Sequence, residues 1–191
     1  MKTKDLTGIS ILAALIVVLQ LFATFIPLPV ANPNLTLIPI VIGGALYGRR
    51  AGAMLGGIMA CVILATYMAG SVGLGPVIMQ KMPLATVAVT LIRGILTGFI
   101  PAAIYKLIRG KNQTLAAIIS SLLCPVINTG VYCLGVLFVF KNVFVDFKGG
   151  GDVYVLLFTA VLLTNFAAEF VLNAVLSPAI LRVIRFRNTG K

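Results

Sequence analysis

The chain has 191 residues, 60 % of them hydrophobic and 10 % charged, with a formal net charge of +11. A soluble domain of this length cannot hide so much apolar surface, because folded surface must stay wetted, whereas a bilayer accepts apolar side chains on the outside of a helical bundle. The charge does not point to nucleic acid, since the basic residues come in twos and threes between long apolar runs and form no polar stripe that could follow a phosphate backbone.

A spanning helix needs about 20 mostly apolar residues. Six segments approach this, at 6–26, 36–47, 52–70, 84–108, 114–140 and 153–181. The expectation is one all-α integral membrane domain over 1–191, a bundle of six transmembrane helices. Lys2 and Lys4 precede the first segment in the manner of a signal peptide, but the run has no small-x-small cleavage pattern and is long enough to span, so it reads as a helix. On it Ser10 and Ala14 stand four apart beside Gly8 and Ala13, a small-residue face that admits another helix, from a partner or from the same bundle.

The connection 26–34 holds Asn32, Pro33 and Asn34. Asparagine offers a donor and an acceptor and tolerates turns, so these two residues read as a pocket wall or as a plain turn. Asn34-Leu35-Thr36 also fits the glycosylation pattern, with no sign of a eukaryotic secretory setting. The second segment is short, and Pro33 and Pro39 flank and interrupt its start. Gly43, Gly44, Gly48, Gly52, Gly56 and Gly57 invite tight packing of the second and third segments. The segment 70–83 reads as turn-rich, and Gln80 and Lys81 in it either reach over a site or form a solvated loop end. Pro101, Pro125 and Pro178 fall in or at the ends of helices, where neighbours must satisfy the freed carbonyls. A third turn-rich connection, 141–152, carries Gly149, Gly150 and Gly151.

With six spans both termini share a side. That side carries Lys2, Lys4, Arg49, Arg50, Lys106, Arg109, Lys111, Arg182, Arg185, Arg187 and Lys191. The other has Lys81, Lys141 and Lys148, offset by Asp146 and Asp152. The bias puts both termini in the cytoplasm and the irregular connections outside.

Inside the spans, Arg93 lies in the fourth, Asn128 in the fifth, and Asn165, Glu169 and Asn173 at four-residue spacing on one face of the sixth. An ionisable group at such depth costs at least ~2.5–3.5 kcal/mol on insertion scales, so it pairs or lines a cavity. One reading is a pocket where Arg93 meets an anionic group while Asn128 and Asn165 orient it. The other is a structural Arg93–Glu169 pair with asparagines joining helices. At 1.5 Å per residue Arg93 lies about 13 Å, and Glu169 about 24 Å, from the outer ends of their helices. Direct pairing therefore needs tilt or a late start to the sixth helix.

Other chemistries lack their residues. The chain has no histidine, no GxxxxGK[ST] phosphate loop, no carboxylate pair and no nucleophile–base pair, which argues against an enzyme and against a metal site. Cys61, Cys124 and Cys133 have no ligand spacing and read as small buried hydrophobes. A proton-coupled carrier would hold carboxylates along its path, and Glu169 alone qualifies.

The run Leu37-Ile38-Pro39-Ile40-Val41-Ile42-Gly43-Gly44-Ala45-Leu46-Tyr47-Gly48-Arg49-Arg50-Ala51-Gly52 resembles the signature of the substrate-binding S components of energy-coupling factor (ECF) transporters. The likeness covers essentially the whole chain. It implies a six-helix protein of the bacterial plasma membrane that captures a vitamin or similar micronutrient under the loop joining its first two helices. It also implies a membrane scaffold subunit (the T subunit) and two ATPase subunits as partners, with no cofactor in this chain. In the family, docking on the scaffold uses an alanine–xxx–alanine pattern of the first helix, which falls here on Ser10 and Ala14, with serine in the first place. Asn32, Asn34, Gln80, Lys81, Arg93, Asn128, Asn165 and Glu169 occupy the regions from which such pockets are built. Thiamine-type pockets use tryptophan, and this chain has none. A cationic Arg93 or Lys81 with amides around it suits pantothenate best, with riboflavin, biotin, folate and a pyridine vitamin as the other candidates. The competing readings are a stand-alone carrier or facilitator of a micronutrient, such as a queuosine precursor or riboflavin, and an assembly subunit with no solute.

Overall fold

The computed structural model describes residues 3–24, 34–70, 74–143 and 166–189. Among them seven helices follow one another: α1 (Thr3–Thr24), α2 (Leu37–Tyr47), α3 (Arg49–Met68), α4 (Leu74–Lys81), α5 (Pro83–Ile108), α6 (Gln113–Phe138) and α7 (Ala167–Thr189). No strand occurs among the described residues. Five of these helices are long and apolar enough to cross a membrane, and α2 is a shorter apolar helix.

The short helix organises the rest. α2 is apolar on every side, and a helix of that kind is stable only when surrounded. It packs against α1, α3, α5, α6 and α7. Leu37, Ile40 and Val41 enter a core with Ile16, Leu55, Met59, Tyr105, Cys124, Ile180 and Ile184. Outward-facing residues are also apolar, among them Ile11, Val18 and Phe22 of α1 and Val171 and Val175 of α7. Side chains of that sort are at home against lipid. α2 passes into α3 through Gly48, whose φ of 91° lies in the left-handed region that a side chain disfavours.

α3 and α5 run antiparallel along a glycine seam. A methyl group placed on Gly52 would overlap the carbonyl of Gly98, and one on Gly56 that of Gly94; the reverse holds at Gly94 and Gly98. Two helices touching backbone to backbone gain close packing that lipid cannot match. The tight packing expected of Gly52 and Gly56 is found, and their partners on α5 are two glycines that the sequence reading did not single out.

Two helix-internal prolines have their freed carbonyls satisfied. Pro101 lacks the N–H that would bond the carbonyl of Thr97, and the Cys124 thiol of α6 lies 3.6 Å from that oxygen. Pro178 likewise releases the carbonyl of Ala174, and the Ser177 hydroxyl donates to it at 2.8 Å.

Two expectations need correction. The segment 70–83 is not only turns, because α4 occupies most of it. Ile78 buries there against Val136, Phe140 and Val143, which fixes a helix that the flanking glycines and proline disguise in the sequence. The sixth predicted span, 153–181, ends too early: α7 continues to Thr189, while residues 153–165 lie outside the described residues.

Candidate functional site

The buried polar groups of α5, α6 and α7 converge on Glu169. Its Oε2 accepts from Asn128 Nδ2 at 3.1 Å and faces the Thr129 hydroxyl at 3.5 Å. Its Oε1 accepts from the backbone N–H of Asn34, just ahead of α2, at 3.2 Å. On the far side of Asn128, Oδ1 accepts from Arg93 Nε at 2.9 Å. One amide thus stands between guanidinium and carboxylate, its oxygen toward the cation and its N–H toward the anion. That orientation uses both ends of the amide dipole.

Arg93 and Glu169 do not meet directly. In place of the direct ion pair that was one expectation, Asn128 relays between the two. Asn128 is 0 % exposed and Glu169 1 % exposed, so the relay is dry. A carboxylate so far from water needs its lone pairs filled, and three donors fill them.

The carboxylate takes three donors, whereas among the described residues the guanidinium is engaged at one nitrogen. Among the described residues Arg93 makes one hydrogen bond, through Nε, and its Cζ lies 5.1 Å from the centre of the Tyr132 ring. Arginine has five N–H donors in a planar fork, so the Nη1 and Nη2 donors have no protein acceptor among the described residues. A fork of this kind fits a carboxylate or phosphate with two parallel hydrogen bonds.

Asn34 is held as firmly as Glu169. Its Oδ1 accepts from the Thr36 hydroxyl at 2.7 Å, and its Nδ2 faces Met59 Sδ at 3.6 Å. At 7 % exposed it offers no surface to a modifying enzyme, and the Asn34-Leu35-Thr36 pattern is a buried turn opening α2.

The depth of the cluster follows from helix lengths. From the basic ends of the helices, about 13 residues separate Lys106 from Arg93, and about 13 separate Arg182 from Glu169, or ~20 Å along each helix. α2, of 11 residues, covers about 16 Å between the Gly48 turn and Asn34's neighbourhood. The three agree on a site ~16–20 Å along the bundle from its basic ends. The contact of Glu169 with Asn34 places it level with the start of α2.

Of the eight residues anticipated for solute, the structure brings Asn34, Arg93, Asn128 and Glu169 together. Gln80 and Lys81 are exposed at the end of α4. Asn32 and Asn165 lie outside the described residues. Ser10 and Ala14 are both exposed on α1, clear of the core. Sequence reasoning missed Thr129 and Tyr132, although Tyr132 stands four residues after Asn128 and so shares its helix face. Asn173, one turn after Glu169, donates to the Glu169 carbonyl at 2.9 Å and receives at its own carbonyl the Ser121 hydroxyl at 3.0 Å.

Among the described residues no group of histidine, cysteine and carboxylate side chains is placed to hold a metal ion. A family model described as "ECF transporter, substrate-specific component" matches residues 4–181. No curated protein and no solved structure matches the chain significantly.

Proposed function

The chain belongs to the substrate-specific components of ECF transporters, and from that premise we propose that it captures a small carboxylate-bearing micronutrient beside Arg93. As a member it is the substrate-specific membrane subunit of an importer and not an enzyme, and the family associates with a T scaffold and ATPase subunits. The observation that carries the solute class is the fork of Arg93, whose Nη donors have no acceptor among the described residues, with its Nε tied to Asn128 and its Cζ 5.1 Å from the centre of the Tyr132 ring. An anion entering there replaces water on a guanidinium already oriented, so little order is lost on binding. Asn34, whose N–H is anchored on Glu169, brings the chain just ahead of α2 to the same place.

Six crossings over one domain, with both termini cytoplasmic, are part of this reading. The helix lengths and the clustering of cations at one set of ends support them. The same orientation opens the site outward. Pantothenate, which joins a carboxylate to an amide and hydroxyls, is the first solute to test in a bacterial membrane context.

Equilibrium dialysis of the purified chain against a vitamin panel tests the proposal. The expected result is sub-micromolar binding of a carboxylate vitamin. Its alcohol analogue, lacking the anion, should bind about 10- to 150-fold more weakly, as expected for the loss of ~1.5–3 kcal/mol from a charge-assisted bond. Equal affinity for acid and alcohol would remove Arg93 from the site.

A further inference from the structure

The opposite end of the bundle holds a cavity. It has a volume of about 230 Å³ and is lined by the end of α2 and the start of α3, Gly44 to Arg49, and by Ala102, Tyr105, Lys106 and Arg109 of α5. Three of these side chains are cationic. The four carboxylate side chains of the chain are Asp5, Asp146, Asp152 and Glu169, and none of them lines the cavity. Positive charge is therefore concentrated here without an acid to balance it.

Topology alone explains cations at a helix end. It does not explain their convergence on one concavity, nor Tyr105. That residue is 2 % exposed, and it lines the cavity beside the three cations. Arg49 is also pre-positioned, with its Cζ 5.9 Å from the centre of the Phe99 ring. The cavity is smaller than the ~300–1,000 Å³ typical of sites for drug-sized molecules and matches a small polyatomic anion or a headgroup.

We propose that this cavity binds a phosphate group, with Arg49, Lys106 and Arg109 supplying charge and the Tyr105 hydroxyl a directed hydrogen bond. The phosphate is that of an anionic phospholipid or a free inorganic ion. The lipid source is favoured by what lies beside the cavity: Met54, Phe99 and Leu107 are exposed apolar residues on α3 and α5, along which acyl chains can run.

Native mass spectrometry of the full chain, with phosphatidylglycerol or phosphatidylcholine as probe, separates the sources from a non-specific effect. A parallel thermal melt in inorganic phosphate against chloride at equal ionic strength completes the comparison. Preferential retention of one phosphatidylglycerol, or stabilisation by inorganic phosphate alone, supports the site and identifies its source. The K106Q/R109Q double variant should lose the effect at least tenfold, and Tyr105→Phe should weaken it roughly 2- to 10-fold. Both lysine and arginine are exposed, so folding should survive their replacement. The R50Q/K111Q double variant removes two cations from outside the cavity and should leave binding intact. Equal loss in the two double variants, or no preference for either phosphate probe, overturns the proposal.

Discussion

Gly56 and Gly94 meet with nothing between their backbones, each carbonyl occupying the space that a side chain on the other would need. The contact sets the distance between α3 and α5, and Arg93 is the residue next to it. Gly94→Ala should therefore destabilise the protein by about 1–3 kcal/mol, the usual effect of forcing a methyl into a filled interface. Gly57→Ala is the matched control. A Cβ there meets only Ile95 at an ordinary 3.9 Å, so helix propensity makes this change neutral or mildly stabilising. Thermal melts of the two purified variants in one detergent compare them directly.

The relay through Asn128 predicts strong coupling. Asn128→Leu leaves a guanidinium and a carboxylate facing an apolar side chain, and should cost about 3–5 kcal/mol, in the range for a broken buried pair. Removing both charges in the same background, as Arg93→Met with Glu169→Gln, should recover part of that loss. A double-mutant cycle on Arg93 and Asn128 should give a coupling of about 0.5–3 kcal/mol. Strict additivity would show that the amide does not link them.

Cys124 serves the carbonyl that Pro101 frees, which makes its worth conditional on the proline. Cys124→Ala alone should destabilise by about 1 kcal/mol, by leaving the Thr97 oxygen without its thiol donor. In a Pro101→Ala background the backbone N–H returns, and the same cysteine change should become nearly neutral. Chemical or thermal unfolding of the four combinations reads the difference.

Tyr132 contributes its ring and not its hydroxyl to Arg93. Tyr132→Phe should leave solute affinity within about twofold. Tyr132→Leu should lower it by the loss of a cation–π contact, ~0.5–2 kcal/mol, or roughly 2- to 30-fold. Dialysis with whichever vitamin the wild-type chain retains gives both values.

Much of this site was legible because a charge or amide stands out in an apolar run. Arg93, Asn128 and Glu169 announce themselves at once, since lipid tolerates such groups poorly. What they do to one another was not legible. The hydrogen-bonding sense of Asn128 depends on three helices meeting, and no spacing along one helix encodes it. Tyr132 was overlooked because an aromatic in a span reads equally well as lipid-facing. Gly94 and Gly98 were overlooked because a glycine's meaning in a helix lies in the partner that approaches it. Hydropathy marks an apolar stretch but not the residue at which its helix reaches a given depth. The same averaging hid α4, whose one buried anchor, Ile78, lies among glycines and a proline.

Arg93 and Glu169 are the charged side chains that the described spans bury, and their formal charges cancel. An empty protein of this design places no net charge in the membrane's electric field. A solute anion at Arg93 would tip that sum to minus one, and an interior-negative voltage opposes its inward passage by ~2.3 kcal/mol per 100 mV for a full crossing. Electrical work then becomes part of the load on the ATP-driven partners, and depolarising a membrane that holds the complete transporter should speed uptake while leaving binding from outside unchanged.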